Sequence, residues 1–181
     1  MTQPGPRLFL ALWPDAAGRA ALREQALCWG WPDAARRYEE ADWHLTLHFL
    51  GRLPSDRLAG LRAGLAVDFE PFELMLDRAE LWRGIAVLTC EQIPPPLLRL
   101  HAALGQALRR LGLAPDPRPY RPHLTLARSA IGALMPPEPP AIAWPVRGYA
   151  LVRSTGDARW RYDAVQQYPD PRCKPEPPSI R

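Results

Sequence analysis

The sequence has few cysteines, a single lysine and no long apolar segment, and each absence excludes a class of protein. No run of 18 apolar residues occurs, so a membrane-spanning helix is not expected. The opening residues M-T-Q-P-G-P contain no apolar stretch of a secretory signal, and Cys28, Cys90 and Cys173 form no CxxC and lie near no histidine. We therefore expect a cytoplasmic protein without a disulfide framework, a metal site or another cofactor.

Positive charge is carried almost entirely by arginine, because Lys174 is the only lysine among the 23 basic residues. The planar guanidinium suits phosphate oxygens, so this composition favours a polyanionic partner, as does the net charge of +4. A compositional bias is the simpler explanation of the arginines as a set, because alanine, proline and glycine are also abundant. A chain of 181 residues, 47% of them hydrophobic, predicts one globular domain.

One tetrapeptide, H-L-T-L, occurs twice, at His44–Leu47 and at His123–Leu126. A given histidine is followed by L-T-L by chance on the order of once in a thousand times, and here two of four histidines are. Side chains alternate across a strand, so histidine and threonine share one face and the leucines the other. Each tetrad therefore predicts a strand with a buried leucine face. Two imidazoles across one cleft can act as general acid and general base near neutral pH.

The tetrads and their flanks resemble a known family. The chain reads R-L-F-L-A-L from Arg7, W-H-L-T-L-H-F-L-G from Trp43 and Y-R-P-H-L-T-L-A-R from Tyr120. These segments resemble the H-x-T-x signatures of the 2H phosphoesterase superfamily, and in particular its RNA 2′,3′-cyclic phosphodiesterases, also called 2′-5′ RNA ligase-like proteins. The resemblance covers the chain from about Arg7 to Tyr168.

The resemblance implies a fold and an activity. The fold would be α+β, with two pseudo-symmetric lobes whose antiparallel sheets face a central cleft and whose helices lie outside. The activity would be metal-independent hydrolysis of an RNA 2′,3′-cyclic phosphate end to a 2′-phosphomonoester. By family analogy His44 is the acid and His123 the base, and residues alone do not distinguish these roles. The threonine hydroxyls of Thr46 and Thr125 would contact the phosphate.

Hydrophobic patterns predict the order of elements. Strands are expected at 7–13, 43–50, 72–82, 85–91, 121–127, 146–153 and 159–168. Helices are expected over 15–28, after a Ser55 N-cap, and from Pro94–Pro96 along a stripe of leucines. Residues 38–42 and 129–144 would be loops. The order suggests an imperfect duplication in one bilobal domain over 1–168, followed by a Pro-rich, unpacked tail at 169–181.

Two arginines are candidates for binding the substrate phosphate. The family resemblance supports one of them, and strand alternation supports the other. The resemblance implies a contact from Arg128, whereas strict alternation gives Arg128 the parity of the leucines and gives Arg121 the parity of His123. His48 has the parity of His44 but lies about 13 Å along the strand, so we expect it at the surface or groove wall and not in catalysis. His101, on the leucine-striped helix, is expected to be structural.

Aromatic residues near these segments could stack on a base or fill the core. Phe9, Trp43, Tyr120 and Tyr162 leave both alternatives open. In the family a serine and a downstream tyrosine complete the pattern, and Ser154 and Tyr162 match it over a short separation.

Other functions remain possible from the sequence. A phosphodiesterase for a small cyclic nucleotide or a reversible 2′-5′ RNA ligase would use the same residues. A non-catalytic RNA-binding module is the alternative from another class, although intact histidine and threonine in both tetrads argue against it. The expected partner is an RNA or oligonucleotide with a cyclic phosphate end, and the expected assembly is a monomer.

Overall fold

A computed structural model describes residues 5–156 and 161–169. Within them the fold is α+β, as expected, with two antiparallel sheets. The strands are β1 Arg7–Leu12, β2 Arg36–Arg37, β3 Leu45–Arg52, β4 Phe72–Leu76, β5 Arg78–Trp82, β6 Ile85–Thr89, β7 His123–Arg128, β8 Ile142–Val146, β9 Tyr149–Ser154 and β10 Tyr162–Tyr168. The helices are α1 Ala16–Leu27, α2 Leu58–Gly64 and α3 Pro95–Arg110.

The larger sheet joins the two halves of the chain. Its strand order is β10-β9-β1-β3-β7-β6-β5, and β4 pairs with β8 in a separate small sheet. The two tetrad strands β3 and β7 share one ladder pair, Leu45 opposite Leu124. Further along, the short strand β2 pairs with the end of β7 instead. The tetrad strands therefore diverge from a common contact, and this divergence opens a cleft between them.

The two halves of the chain pair their tetrad strands in the same register, β3 with β1 and β7 with β6. Thr46 of β3 lies opposite Ala11 of β1, and Thr125 of β7 lies opposite Val87 of β6. The next step of each ladder contains a β-bulge, in which Leu47 is the extra residue of β3 and Leu126 that of β7. This repeat agrees with the expected duplication, and it makes β1 the counterpart of β6.

The helices cover the leucine face of the large sheet. The tetrad leucines and the inward residues of the three helices belong to one buried cluster. The amphipathic α3 starts at Pro95, where a missing N–H has no intrahelical partner to lose, and it buries Leu97, Leu100, Leu104 and Leu108. Helix α1 is capped by Asp15, whose side chain accepts a hydrogen bond from the Gly18 N–H at 2.8 Å. The opposite face of the sheet is left for the cleft.

Two element predictions were wrong, one because alternation does not reveal which sheet a strand joins, and the other because a proline-rich composition concealed a strand. The expected strand 72–82 is interrupted at Asp77, where β4 pairs with β8 and β5 turns to pair with β6. Residues 142–144 of the expected loop 129–144 begin β8, which tolerates Pro145 because it pairs on one side only.

Two smaller predictions also need correction. Ser55 opens a 3-10 turn and makes no side-chain cap for α2. Residues 40–42 form a second 3-10 turn within the expected loop.

The predicted tail lies almost wholly outside the described residues, which end at 169. The three helices are too short or too polar to cross a membrane. The expectations of a cytoplasmic location and a monomeric state stay predictions.

Candidate active site

The cleft between β3 and β7 contains both tetrad histidines. It encloses about 310 Å³, within the usual size range of small-ligand sites. His44 stands immediately before β3, and His123 is the first residue of β7. The residues that line the cleft are Arg7, Phe9, Tyr38, His44, Thr46, Phe49, His123, Thr125, Arg128, Ser154 and Tyr162. Both predicted catalytic residues and both predicted threonines are therefore brought together.

The two imidazoles are oriented by the same kind of hydrogen bond to a backbone carbonyl. The Nδ1 of His44 lies 2.6 Å from the carbonyl oxygen of Asp42, and the Nδ1 of His123 lies 2.8 Å from that of Arg121. Each acceptor is the residue two positions earlier. Because a carbonyl only accepts, Nδ1 must carry the proton in both rings. The neutral form of each histidine thus has its acceptor at Nε2, the ring nitrogen left free for a ligand.

Aromatic rings surround His44. Trp13 stacks on the imidazole at 4.9 Å between centroids, Tyr162 meets it edge-on at 4.9 Å, and Phe9 lies at 5.1 Å. Burial lowers the pKa of His44 to about 4, the Asp42 carbonyl opposes this shift, and a charge on nearby His123 adds to it. His44 is accordingly neutral at physiological pH unless an anion enters the cleft.

His123 has one aromatic neighbour and two cationic ones. The ring of Trp82 lies 4.9 Å away. Burial is the main cause that lowers the pKa of His123, and the charges of Arg121 and Arg128 lower it further. Both histidines are therefore poised as neutral proton acceptors, but their surroundings differ in charge.

The β-bulges decide which side chains follow the tetrads into the cleft. An extra residue in a strand reverses the alternation beyond it. In β7 the bulge brings Arg128 to the cleft, where its Nε donates to the Tyr38 hydroxyl at 3.0 Å. Strict alternation would place Arg128 on the leucine face of the strand, and the bulge explains why it lies on the cleft face instead. In β3 the equivalent bulge brings Phe49 to the cleft, where the side chain is 59% exposed.

The same bulge corrects part of the prediction for His48. His48 is not at the surface but is 3% exposed and packs on the helix side of the sheet, where it lines a cavity next to the cleft and not the cleft itself. Its ring stacks on that of His101 at 4.0 Å, and its Nε2 lies 2.9 Å from the His101 carbonyl oxygen on α3. Tyr120 stacks on the other side of His101 at 3.8 Å. His48 and His101 thus join α3 to β3.

Arg121 does not reach the cleft. It precedes β7, so the alternation argument does not apply to it. Its guanidinium lies 4.2 Å from the ring centroid of Trp82 and 3.9 Å from a Glu80 carboxylate oxygen. There it lines a second cavity of about 480 Å³, which shares Thr46, Phe49 and His123 with the cleft.

The aromatic candidates divide between the cleft and the core. Phe9 and Tyr162 line the cleft, as does Ser154. Trp43 is buried in the core at 4% exposure, and Tyr120 packs against the same core.

Several cleft residues were missed in the sequence. Arg7 has the parity of Phe9 in β1, and this signal could have assigned it to the cleft face. Tyr38 could not be assigned in this way, because it follows the two-residue strand β2.

Within residues 5–156 and 161–169, no three side chains of histidine, cysteine, aspartate or glutamate cluster as metal ligands.

Comparison with known proteins places this geometry in a family. The sequence model that describes the 2′-5′ RNA ligase superfamily matches residues 15–166 of this chain.

The chain belongs to the 2′-5′ RNA ligase superfamily.

Similar proteins include the RNA 2′,3′-cyclic phosphodiesterase of Escherichia coli K12, which is 33% identical over 86% of this chain and 87% of its own length. The RNA 2′,3′-cyclic phosphodiesterase of Thermus thermophilus is 33% identical over 82% of this chain and 81% of its own length. The crystal structure of E. coli LigT complexed with 3′-AMP superimposes with a TM-score of 0.76 at 29% identity, over 92% of this chain and 98% of that one. The resemblance that the tetrads indicated is confirmed.

Proposed function

We propose that this protein hydrolyses the 2′,3′-cyclic phosphate at an RNA end to a 2′-phosphomonoester. The observation that carries the proposal is the pair of histidines in one cleft, each fixed through Nδ1 and each followed by a cleft-facing threonine. The E. coli relative is named for this reaction, and its structural counterpart binds 3′-AMP, a nucleotide with a phosphate on the same edge of the ribose.

The reaction needs one proton acceptor and one proton donor. With His123 as base, its Nε2 takes a proton from a water molecule whose oxygen attacks phosphorus. The bond from phosphorus to the 3′ oxygen breaks, and the Nε2–H of His44 protonates that oxygen as it leaves. The phosphate stays on the 2′ oxygen, and exchange with solvent restores both histidines.

The negative charge of the bound phosphate stabilises the protonated form of the acid, His44. Burial lowers the pKa of both histidines, so the donor needs a nearby anion to carry its proton. The phosphodiester supplies this charge when it lies between the rings. Thr46, Thr125 and the guanidiniums of Arg7 and Arg128 line the same space and suit the phosphoryl oxygens. Arg121 has no part in this scheme, because it lies against Trp82.

Hydrolysis of adenosine 2′,3′-cyclic phosphate in EDTA tests the proposal. We expect turnover that exhaustive dialysis against chelator leaves unchanged, and 2′-AMP as the product. Activity that is lost on dialysis and restored by a divalent ion would contradict the metal-independent scheme. Formation of 3′-AMP would show that the 2′ oxygen leaves instead. Binding without turnover would favour the non-catalytic RNA-binding module.

The proton roles are tested with a better leaving group. A substrate whose 3′ leaving atom is a thiolate needs little protonation, so it should selectively rescue the variant that lacks the acid. We expect rescue of His44→Ala. Rescue of His123→Ala instead would exchange the two roles.

A further inference from the structure

The short strand β2 places a second arginine beside Arg128. In its ladder with β7, Arg36 lies opposite Arg128 and Arg37 lies opposite Ala127. Directly opposed residues of an antiparallel pair project from the same face, with Cβ atoms about 5 Å apart. Arg36 therefore projects from the face on which Arg128 lines the cleft. Arg37 projects from the other face, although both side chains of β2 are exposed.

Two arginines in this arrangement repel each other. Like charges directly opposed across strands are destabilising unless something compensates them. Neither Arg36 nor Arg128 forms an ion pair with a carboxylate of residues 5–156 or 161–169. The hydrogen bond from Arg128 to the Tyr38 hydroxyl is to a neutral group. An anion held between the two guanidiniums would remove the repulsion.

The opposite side of His123 differs in charge. In the second cavity, Arg118 donates to the Asp116 carboxylate at 2.9 Å, and Arg121 lies 3.9 Å from that of Glu80. These guanidiniums are already compensated. Of the two sides of His123, the one toward β2 therefore carries the uncompensated positive charge, so it is the side that attracts a further phosphate.

We propose that Arg36 binds the phosphodiester that links the terminal nucleotide of the RNA to its 5′ neighbour. The strand then leaves the cleft over β2 and not through the second cavity. This inference rests on the proposed function, because it assumes that the terminal cyclic phosphate occupies the space between His44 and His123. It makes Arg36 a residue that distinguishes an RNA end from a mononucleotide.

The test compares two substrates in Arg36→Gln. One is adenosine 2′,3′-cyclic phosphate, and the other is a dinucleotide with the same cyclic end. Loss of one charge-assisted phosphate contact should lower the ratio of kcat/KM, dinucleotide over mononucleotide, by about tenfold. The slope of log kcat/KM for the dinucleotide against log salt should also become shallower by about 0.7. Arg37→Gln is the matched control, since it removes another exposed charge from the other face, and its ratio should stay that of the wild type.

Three outcomes would overturn the inference. They are an unchanged ratio in Arg36→Gln, an equal fall of the ratio in Arg37→Gln, and a selective fall in Arg121→Gln. The last would show that the strand leaves through the second cavity.

Binding separates this inference from the proposed function. If the wild type hydrolyses neither substrate, the proposed function fails. Calorimetric titration with 3′-AMP and with a dinucleotide 3′-phosphate then decides the role of Arg36. A preference for the dinucleotide that Arg36→Gln abolishes supports the second phosphate site, and a preference that Arg36→Gln retains contradicts it.

Discussion

The two tetrad strands use one local design in two different environments. In both, the imidazole is held through Nδ1 by the carbonyl two residues earlier, and the threonine follows on the same face. Beyond the threonine each strand has a bulge, which brings Phe49 to the cleft from β3 and Arg128 from β7. The residue that the bulge adds to the cleft is thus aromatic in one half of the site and cationic in the other.

This difference shows how a duplicated site becomes directional. A symmetric pair of histidines would bind a phosphate in two equivalent orientations. Aromatic rings around His44 and guanidiniums near His123 remove that equivalence, because a nucleotide has an apolar end and an anionic end. The following predictions test this comparison, from the largest expected effect to the smallest.

The largest effect should come from either catalytic histidine. We expect His44→Ala and His123→Ala each to lower kcat for the cyclic phosphate by at least about a hundredfold, as for a lost general acid or base. We expect the fold to survive because both rings line the cleft and are only partly buried, and circular dichroism and urea unfolding check this. Near-normal turnover by either folded variant would contradict the two-histidine mechanism.

Arg128 should matter less than a histidine but more than an arginine outside the cleft. We expect Arg128→Gln to lower kcat/KM by about ten- to a hundredfold, because it removes a charge-assisted contact with the phosphate. Arg62→Gln, on the last turn of α2, is the control and should stay near the wild-type value. Equal losses in both variants would indicate a general effect of charge.

The pH dependence should reveal the phosphate's effect on the acid. Burial lowers the pKa of both histidines, so kcat/KM should follow a bell with its optimum below about pH 6.5. Bound phosphate favours the charged imidazole and raises the pKa of the acid, so the alkaline limb of kcat should lie at higher pH. The two apparent pKa values belong to the coupled pair. Superimposed profiles of kcat and kcat/KM would contradict this account.

His48→Ala should have the smallest effect on activity, within about threefold, because the bulge turns this ring away from the cleft. It should instead lower the free energy of unfolding by about 1–3 kcal/mol, since it empties a buried site and leaves the His101 carbonyl without its partner. Urea titration measures this loss. A large fall in kcat with unchanged stability would show that His48 acts in the cleft.

Much of this site could be predicted from sequence because its pattern is local. His44 and Thr46, like His123 and Thr125, are two residues apart in the chain, and alternation alone puts each pair on one face. Alternation failed beyond the threonines. A bulge depends on the register between two strands that are distant in sequence. Alternation alone therefore assigned His48 and Arg128 to the wrong faces of their strands.

The sequence by itself determined that two strands with the same tetrad each present an imidazole and a hydroxyl on one face and leucines on the other. It also determined the helix α3, whose leucine stripe repeats at helical spacing. Only the tertiary structure decided what stands around each histidine. Strand pairing and bulges, which depend on contacts between residues far apart in the chain, set Trp13 and Tyr162 beside His44 and Trp82 and Arg128 near His123. Those contacts, and not the repeated tetrad, make the two halves of the site different.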